Sequence, residues 1–270
     1  MQQLRNAALQ DRCQKLAAKP RIHAALEDNA LELLYPSAKD ELRDLMEAEQ
    51  QPAEQAAGSL HAKFYRFLNV DGTVLPPPNP KEVGELAPED EDRLTMRKLP
   101  DTQQTAYLAE TRTAVQPAVD EVIFVPIFSS ETNEIIAALV VGFRPFELTG
   151  AHARAGMKSG IWIDGALHLA LLPASARKTL GDEVRQAIAA GDPGKGNFTV
   201  TVNGGTELLF YERLNANLLF APAYQVCIYP LTESIARQRR LSWQIGGAGT
   251  LLLLGGFMTT PMMKSRISSS

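Results

Sequence analysis

The first apolar period along the chain is helical. Leu4, Leu9, Cys13, Leu16 and Ala17 recur at helical spacing through residues 3–18, and Pro20 ends the run. A second helix is expected from about Ile22. A third is expected after Ser37, with Asp40 three places on as a cap partner and Leu42, Leu45 and Met46 on one face. Residues 50–60, rich in Gln, Ala, Gly and Ser, read as a connection. The period then changes. Phe64 to Leu75 reads as strand, Asp71-Gly72 turn and strand, stopped by Pro76, Pro77 and Pro78. Pro88 opens a short helix. Asp101 with Gln104 predicts the cap of another helix, carrying Tyr107 and Leu108. Glu121–Phe128 and Ile135–Phe143 form a hairpin of two buried strands, with Pro126 implying an edge position or a bulge in the first.

The same order then begins again. Gly160 to Pro173 is strand, Asp164-Gly165 turn, strand and proline stop. Leu180, Val184 and Ile188 define a helix, with Gly191 as its C-cap. Phe198, Val200 and Val202 alternate up to an Asn203-Gly204 turn, Glu207 to Leu214 returns, and Tyr224 to Tyr229 is the last strand. Strands grouped around a helical crossover, without βαβ alternation, predict an α+β chain with two lobes, each an antiparallel sheet with helices on it. The expected division is an N-terminal helical region over 1–60, a first lobe over 61–150 and a second over 151–230. A signalling and transmembrane helix over 231–263 and a short tail over 264–270 complete it.

That last helix rests on composition. From Leu241 to Met263 there is no charged residue, a length that suits a bilayer. Trp243 sits where an interfacial aromatic belongs, and Arg237, Arg239, Arg240, Lys264 and Arg266 flank the span. Five glycines within it weaken a helix in water but are common in membranes. The N-terminus opens directly into an amphipathic helix, with no apolar leader.

Little chemistry accompanies this pattern. The net charge of −4 argues against nucleic-acid binding, which gathers basic residues on one face. The acidic run Glu89-Asp90-Glu91-Asp92 reads as the solvated first turn of a helix. Cys13 and Cys227 offer neither a disulfide framework nor a cysteine zinc site, and read as small buried hydrophobes. His23, His61, His152 and His168 lack metal-ligand spacing. Gly191-Asp-Pro-Gly-Lys-Gly follows a helix instead of preceding one and reads as a turn, not a phosphate loop. No nucleophile, zincin or Walker motif is present, so no enzyme activity, metal or cofactor is expected.

In this order of segments the chain resembles the double-Cache, PAS-like sensor regions of bacterial transmembrane receptors. The resemblance rests on the N-terminal helix, Phe64–Pro76 with Asp71-Gly72, Val122–Phe143, Gly160–Pro173, and Ala223–Tyr229 running through Arg239, Arg240 and Leu241 towards the membrane. It implies a long N-terminal helix, a small-molecule ligand, a homodimer paired through that helix, and sensor lobes on the periplasmic or extracellular side. Members usually carry a membrane helix before the first lobe and an output domain after the last helix, so a truncated or misread receptor is the expectation here. The flanking charges, three before the span and two after, favour the opposite sidedness by one charge. A membrane-tethered binding or interaction subunit without signalling output is the alternative function.

Candidate ligand-binding residues lie in the first lobe, in a cleft between its sheet and helices over 88–112. They are Tyr65 and Arg66 on the opening strand, Tyr107 on the covering helix, and Arg112 and Asp120 leading into the next strand. Arg66 is the most telling, because it shares a strand face with Phe64, Leu68 and Val70 and a charge there needs a partner. That partner is either a ligand or an acid such as Asp120. The resemblance does not extend to the amino-acid-recognition motif of some double-Cache receptors, since Phe64-Tyr65-Arg66-Phe67 has its aromatics and arginine in another order.

Overall fold

The computed structural model describes residues 2–46, 61–110, 118–144, 157–169, 172–202, 204–215 and 220–231. The expected span over 241–263 therefore lies outside the described residues. Among those described, no helix is long and apolar enough to cross a membrane.

Three helices come first: α1 (Gln2–Ala17), α2 (Pro20–Glu27) and α3 (Leu31–Met46). Pro20 separates the first two and takes the opening position of α2, where its missing N–H is harmless. The expected start of α3 at Ser37 is corrected. The helix begins at Leu31 and carries Pro36 within it. That proline removes one helical hydrogen bond. The loss is offset by burial of Leu34, Tyr35, Ala38, Leu42 and Leu45 on one face.

Two five-stranded antiparallel sheets follow, and their topology is the same. The first joins β1 (Ala62–Asn69), β2 (Val74–Leu75), β3 (Gln104–Ala109), β4 (Val119–Phe128) and β5 (Ile135–Phe143) in the order β2-β1-β5-β4-β3. The second joins β6 (Lys158–Ile163), β7 (Ala166–His168), β8 (Lys195–Val202), β9 (Gly205–Arg213) and β10 (Tyr224–Pro230) in the order β7-β6-β10-β9-β8. These are two PAS-like lobes in an α+β chain. Each opening hairpin turns on an Asp-Gly pair, with Gly72 and Gly165 both at positive φ (82° and 79°), which glycine adopts without strain. Pro126 pairs only with β5, because β3 stops opposite Phe124. The proline thus sits where β4 has no second neighbour.

The expected helix after Asp101 is corrected as well. Residues 104–109 are strand β3, paired with β4 from Gln104 opposite Phe124 to Ala109 opposite Val119. Local capping residues lost to the hydrogen bonds of an otherwise unpaired sheet edge. The crossover between β2 and β3 keeps a 3-10 turn at Pro80–Glu82 and one short α-helix, α4 (Pro88–Asp92). Its counterpart between β7 and β8 is the longer α5 (Ala174–Ala190). Gly191 does cap α5, but in an extended conformation, not a left-handed one.

The first sheet is buried on both faces, the second mainly on one. Tyr65, Phe67, Ile123, Val125, Leu139 and Val141 of the first sheet pack under the N-terminal helices. On its other face Phe64, Leu68, Val122, Phe124 and Val140 meet Leu94 and Leu99 of the crossover. In the second sheet Trp162, Leu209, Val226 and Ile228 pack on Leu180 and Val184 of α5. The lobes meet where Tyr107 and Val119 touch Ile163 and Ala223.

Candidate functional site

Strand alternation decides which side chains share a surface. Arg66 stands opposite Val140, and Val140 opposite Phe124, so all three face the crossover between β2 and β3. Gly142 lies beside Phe64 on the same face, and a side chain there would collide with the Phe64 ring. Asp120 pairs with Leu108 and also faces the crossover. Tyr65, one residue from Arg66, points the other way, into the core beneath the N-terminal helices. Tyr107 stands opposite Glu121 and lies at the contact between lobes, on strand β3 instead of a covering helix. Of the predicted site residues, then, the structure brings Arg66 and Asp120 to one face and leaves Tyr65 and Tyr107 on the other. Arg112 lies outside the described residues.

Arg66 is 1% exposed. A guanidinium so buried must exchange water for other acceptors. It does so with the Glu91 carboxylate, the Tyr65 carbonyl (2.8 Å) and the Val83 carbonyl (3.2 Å). The acid that neutralises it comes from α4, not from Asp120. The acidic run there is accordingly more than a solvated turn: Asp90 is 3% exposed and Glu91 is committed to Arg66.

Asp120 is 2% exposed and bonds the Lys63 ammonium at 2.7 Å. Lys63 also bonds Glu110. A register shift between Ala62 and Phe64 re-aims the strand where Lys63 sits. Burial drives the Asp120 carboxyl up to about 6, against the hydrogen bond and charge of Lys63, which pull it down. Burial alone would lower the Lys63 ammonium, but its bonds to Asp120 and Glu110 prevail and hold it above the usual lysine range. Arg93, one residue past α4, lies 3.7 Å from Asp90, bonds the Ala109 carbonyl, and reaches Asp164 of the second lobe at 3.0 Å. Lys63, Asp90, Glu91 and Arg93 thus join Arg66 and Asp120 in a charged belt across one face. Only pairing across the sheet and crossover could have revealed them.

The opposite face holds a separate ion pair. Arg5 of α1 bonds Glu121 at 2.7 Å and the Arg144 carbonyl at 2.7 Å. Burial raises the Glu121 carboxyl despite Arg5, and burial pushes the Tyr65 and Tyr107 phenols up. The Cys13 thiol is driven to about 12 by burial, so it packs in the core and stays protonated. On the second sheet, a groove of about 560 Å³ is lined by Lys195, Asn197, Phe210, Glu212, Gln225 and Cys227. Its charged side chains reach solvent, so they carry no unmet demand for a partner.

No known family profile and no curated protein matches this chain. Solved structures similar to it are extracellular and ligand-binding sensor regions at low identity. An extracellular ligand-binding receptor from Desulfohalobium retbaense is 13% identical with a TM-score of 0.35. The match covers 82% of this chain and 39% of that one, so this chain spans well under half of it. The ligand-binding domain of the Pseudomonas aeruginosa amino acid chemoreceptor PctB, in complex with L-Arg, is 14% identical with a TM-score of 0.38, covering 84% and 96%. The ligand-binding domain of the Campylobacter jejuni chemoreceptor Tlp3, in complex with L-valine, is 14% identical with a TM-score of 0.43, covering 83% and 84%.

Proposed function

We propose that this chain is the non-enzymatic, ligand-sensing region of a membrane-bound signal-transduction receptor, with the first lobe as the sensor and the second as the relay. The observation that carries this reading is the buried charged belt on one face of the first sheet. Arg66 and Asp120 are almost wholly desolvated, yet what closes over them is a proline-rich crossover with one short α-helix, whose own Asp90 is buried as well. Charges buried under a light cover, not under a thick apolar core, are placed to exchange partners. A small molecule with a carboxylate would replace Glu91 on Arg66, and an amine or hydroxyl would reach Asp120. Tethering falls to the uncharged stretch over 241–263.

Thermal-shift screening with amino acids, simple carboxylates and amines tests this reading. A stabilising compound is expected for the wild-type chain. Its effect should be lost in Arg66→Lys, which keeps a charge but not the guanidinium fork. A compound whose stabilisation survives Arg66→Lys, or which maps to the second lobe, would overturn the assignment.

A further inference from the structure

The row of residues that runs from Arg66 through Val140 to Phe124 does not end within the first lobe. The Phe124 ring stacks on Phe220, with centroids 4.6 Å apart and planes tilted by 32°. Phe220 belongs to the second lobe, in the connection between β9 and β10, and packs against the first lobe's crossover-face core. Two strand spacings, about 10 Å, separate Arg66 from Phe124 across the sheet. A small molecule anchored on Arg66 and lying along this row would therefore end at Phe220.

The connection that presents Phe220 is tied down at its base. Asn215 is 3% exposed, donates to the Ala221 carbonyl at 2.9 Å and accepts from the Ala223 N–H at 2.9 Å. The Leu214 N–H bonds the Ala223 carbonyl at 2.8 Å, and Arg213 bonds the Asn215 carbonyl at 2.6 Å. These bonds make the base of the connection a stiff extension of the β9–β10 pair, so a displacement of the ring is delivered to those strands. β10 is the strand from which the chain leaves towards residues 232–270.

We infer that Phe220 is the positioning residue through which the second lobe reads the first, coupling partner exchange at Arg66 to the β9–β10 strands. The ligand in this inference rests on the proposed sensor function, but the coupling does not. Apolar packing between Tyr107, Val119, Ile163 and Ala223 holds the lobes together; at the face where the charged belt lies, Phe220 is the apolar contact from the second lobe, beside the solvent-exposed Arg93–Asp164 ion pair.

Hydrogen exchange on the full chain tests this without a ligand. Glu91→Gln imitates the departure of Glu91 from Arg66. It should raise amide exchange across β9 and β10 by about tenfold when Phe220 is present, and by less than about twofold in the Phe220→Ala background. Phe220→Leu, which keeps an apolar side chain without the ring stack, should fall between them and serves if the alanine variant folds poorly. Equal effects of Glu91→Gln with and without Phe220 would overturn the coupling, as would no effect on β9 and β10 when Phe220 is intact. A failed ligand screen would leave this result standing, so the two readings fail separately.

Discussion

The two lobes share a strand order but differ in what spans the sheet between the second and third strands. In the second lobe that span is α5, whose Leu180 and Val184 pack on Trp162, Leu209 and Val226. The Trp162 indole N–H bonds the Gly181 carbonyl at 3.0 Å. The result is an apolar layer whose other polar ties lie at its margins, from the Tyr211 hydroxyl to the Ala187 carbonyl (3.4 Å) and from Arg185 to the Gly165 carbonyl (2.9 Å). In the first lobe the span has prolines at 76, 77, 78, 80, 88 and 100, and an α-helix of five residues. It cannot lay down an apolar stripe of comparable length, and the sheet beneath it carries Arg66 and Asp120 instead. In the proposed function, one frame therefore serves two purposes. A lobe closed by hydrophobic packing moves as a unit, whereas a lobe closed partly by ion pairs can be reopened by a molecule that offers the same charges.

Three measurements sharpen this contrast, from the strongest effect to the weakest. Arg66→Ala should destabilise the first lobe by about 3 kcal/mol in urea unfolding, because it empties a fully buried site and takes a donor from two carbonyls and from the part-exposed Glu91. Lys158→Ala in the second lobe, removing a partly exposed partner of Glu207, should cost about 1 kcal/mol. Comparable losses would erase the distinction between an ion-closed and an apolar-closed lobe.

The pH dependence comes next. Asp120 holds its proton more tightly in the folded chain (about 6) than in the unfolded one, where the ordinary value is 3.8. Such an acid favours folding at low pH, and that contribution is lost as pH rises from about 4 to about 6. Wild-type stability should fall by roughly 2–3 kcal/mol across that window from this group. Asp120→Asn, which cannot titrate, should flatten the curve. An unchanged slope would mean that Asp120 is not the titrating group.

The smallest effect concerns the joint between lobes. Arg93 and Asp164 are both substantially exposed, so Arg93→Ala should cost only about 0.5 kcal/mol and leave the lobes docked in small-angle scattering. Undocking would show that the ion pair, not the apolar contact at Tyr107, Val119, Ile163 and Ala223, holds the joint.

Much of the architecture was legible because it is written in short periods. Period-two alternation in Phe64–Leu68 already separates Arg66 from Tyr65, so grouping both in one cleft conflicts with the strand that carries them. Segment 101–109 reads as a helix in the sequence because its cap residues and apolar spacing suit one locally. What made it a strand is β4, which begins ten residues further on and needed an outer neighbour. Glu91 was invisible as the partner of Arg66, since it is separated from it by a turn, a strand and a run of prolines.

By itself the sequence determined the helical opening, the repeated strand–Asp-Gly–strand plan, the two antiparallel lobes, and the isolation of Arg66 among apolar neighbours. Each of these follows from interactions within a few residues, where periodicity and turn chemistry suffice. Only the tertiary structure decided that Glu91 neutralises Arg66, that Lys63 holds Asp120, and that Phe220 of one lobe rests on Phe124 of the other. The physical reason is that desolvation and packing act on whatever the fold brings together. They select partners by distance in space, and no local pattern along the chain records that distance.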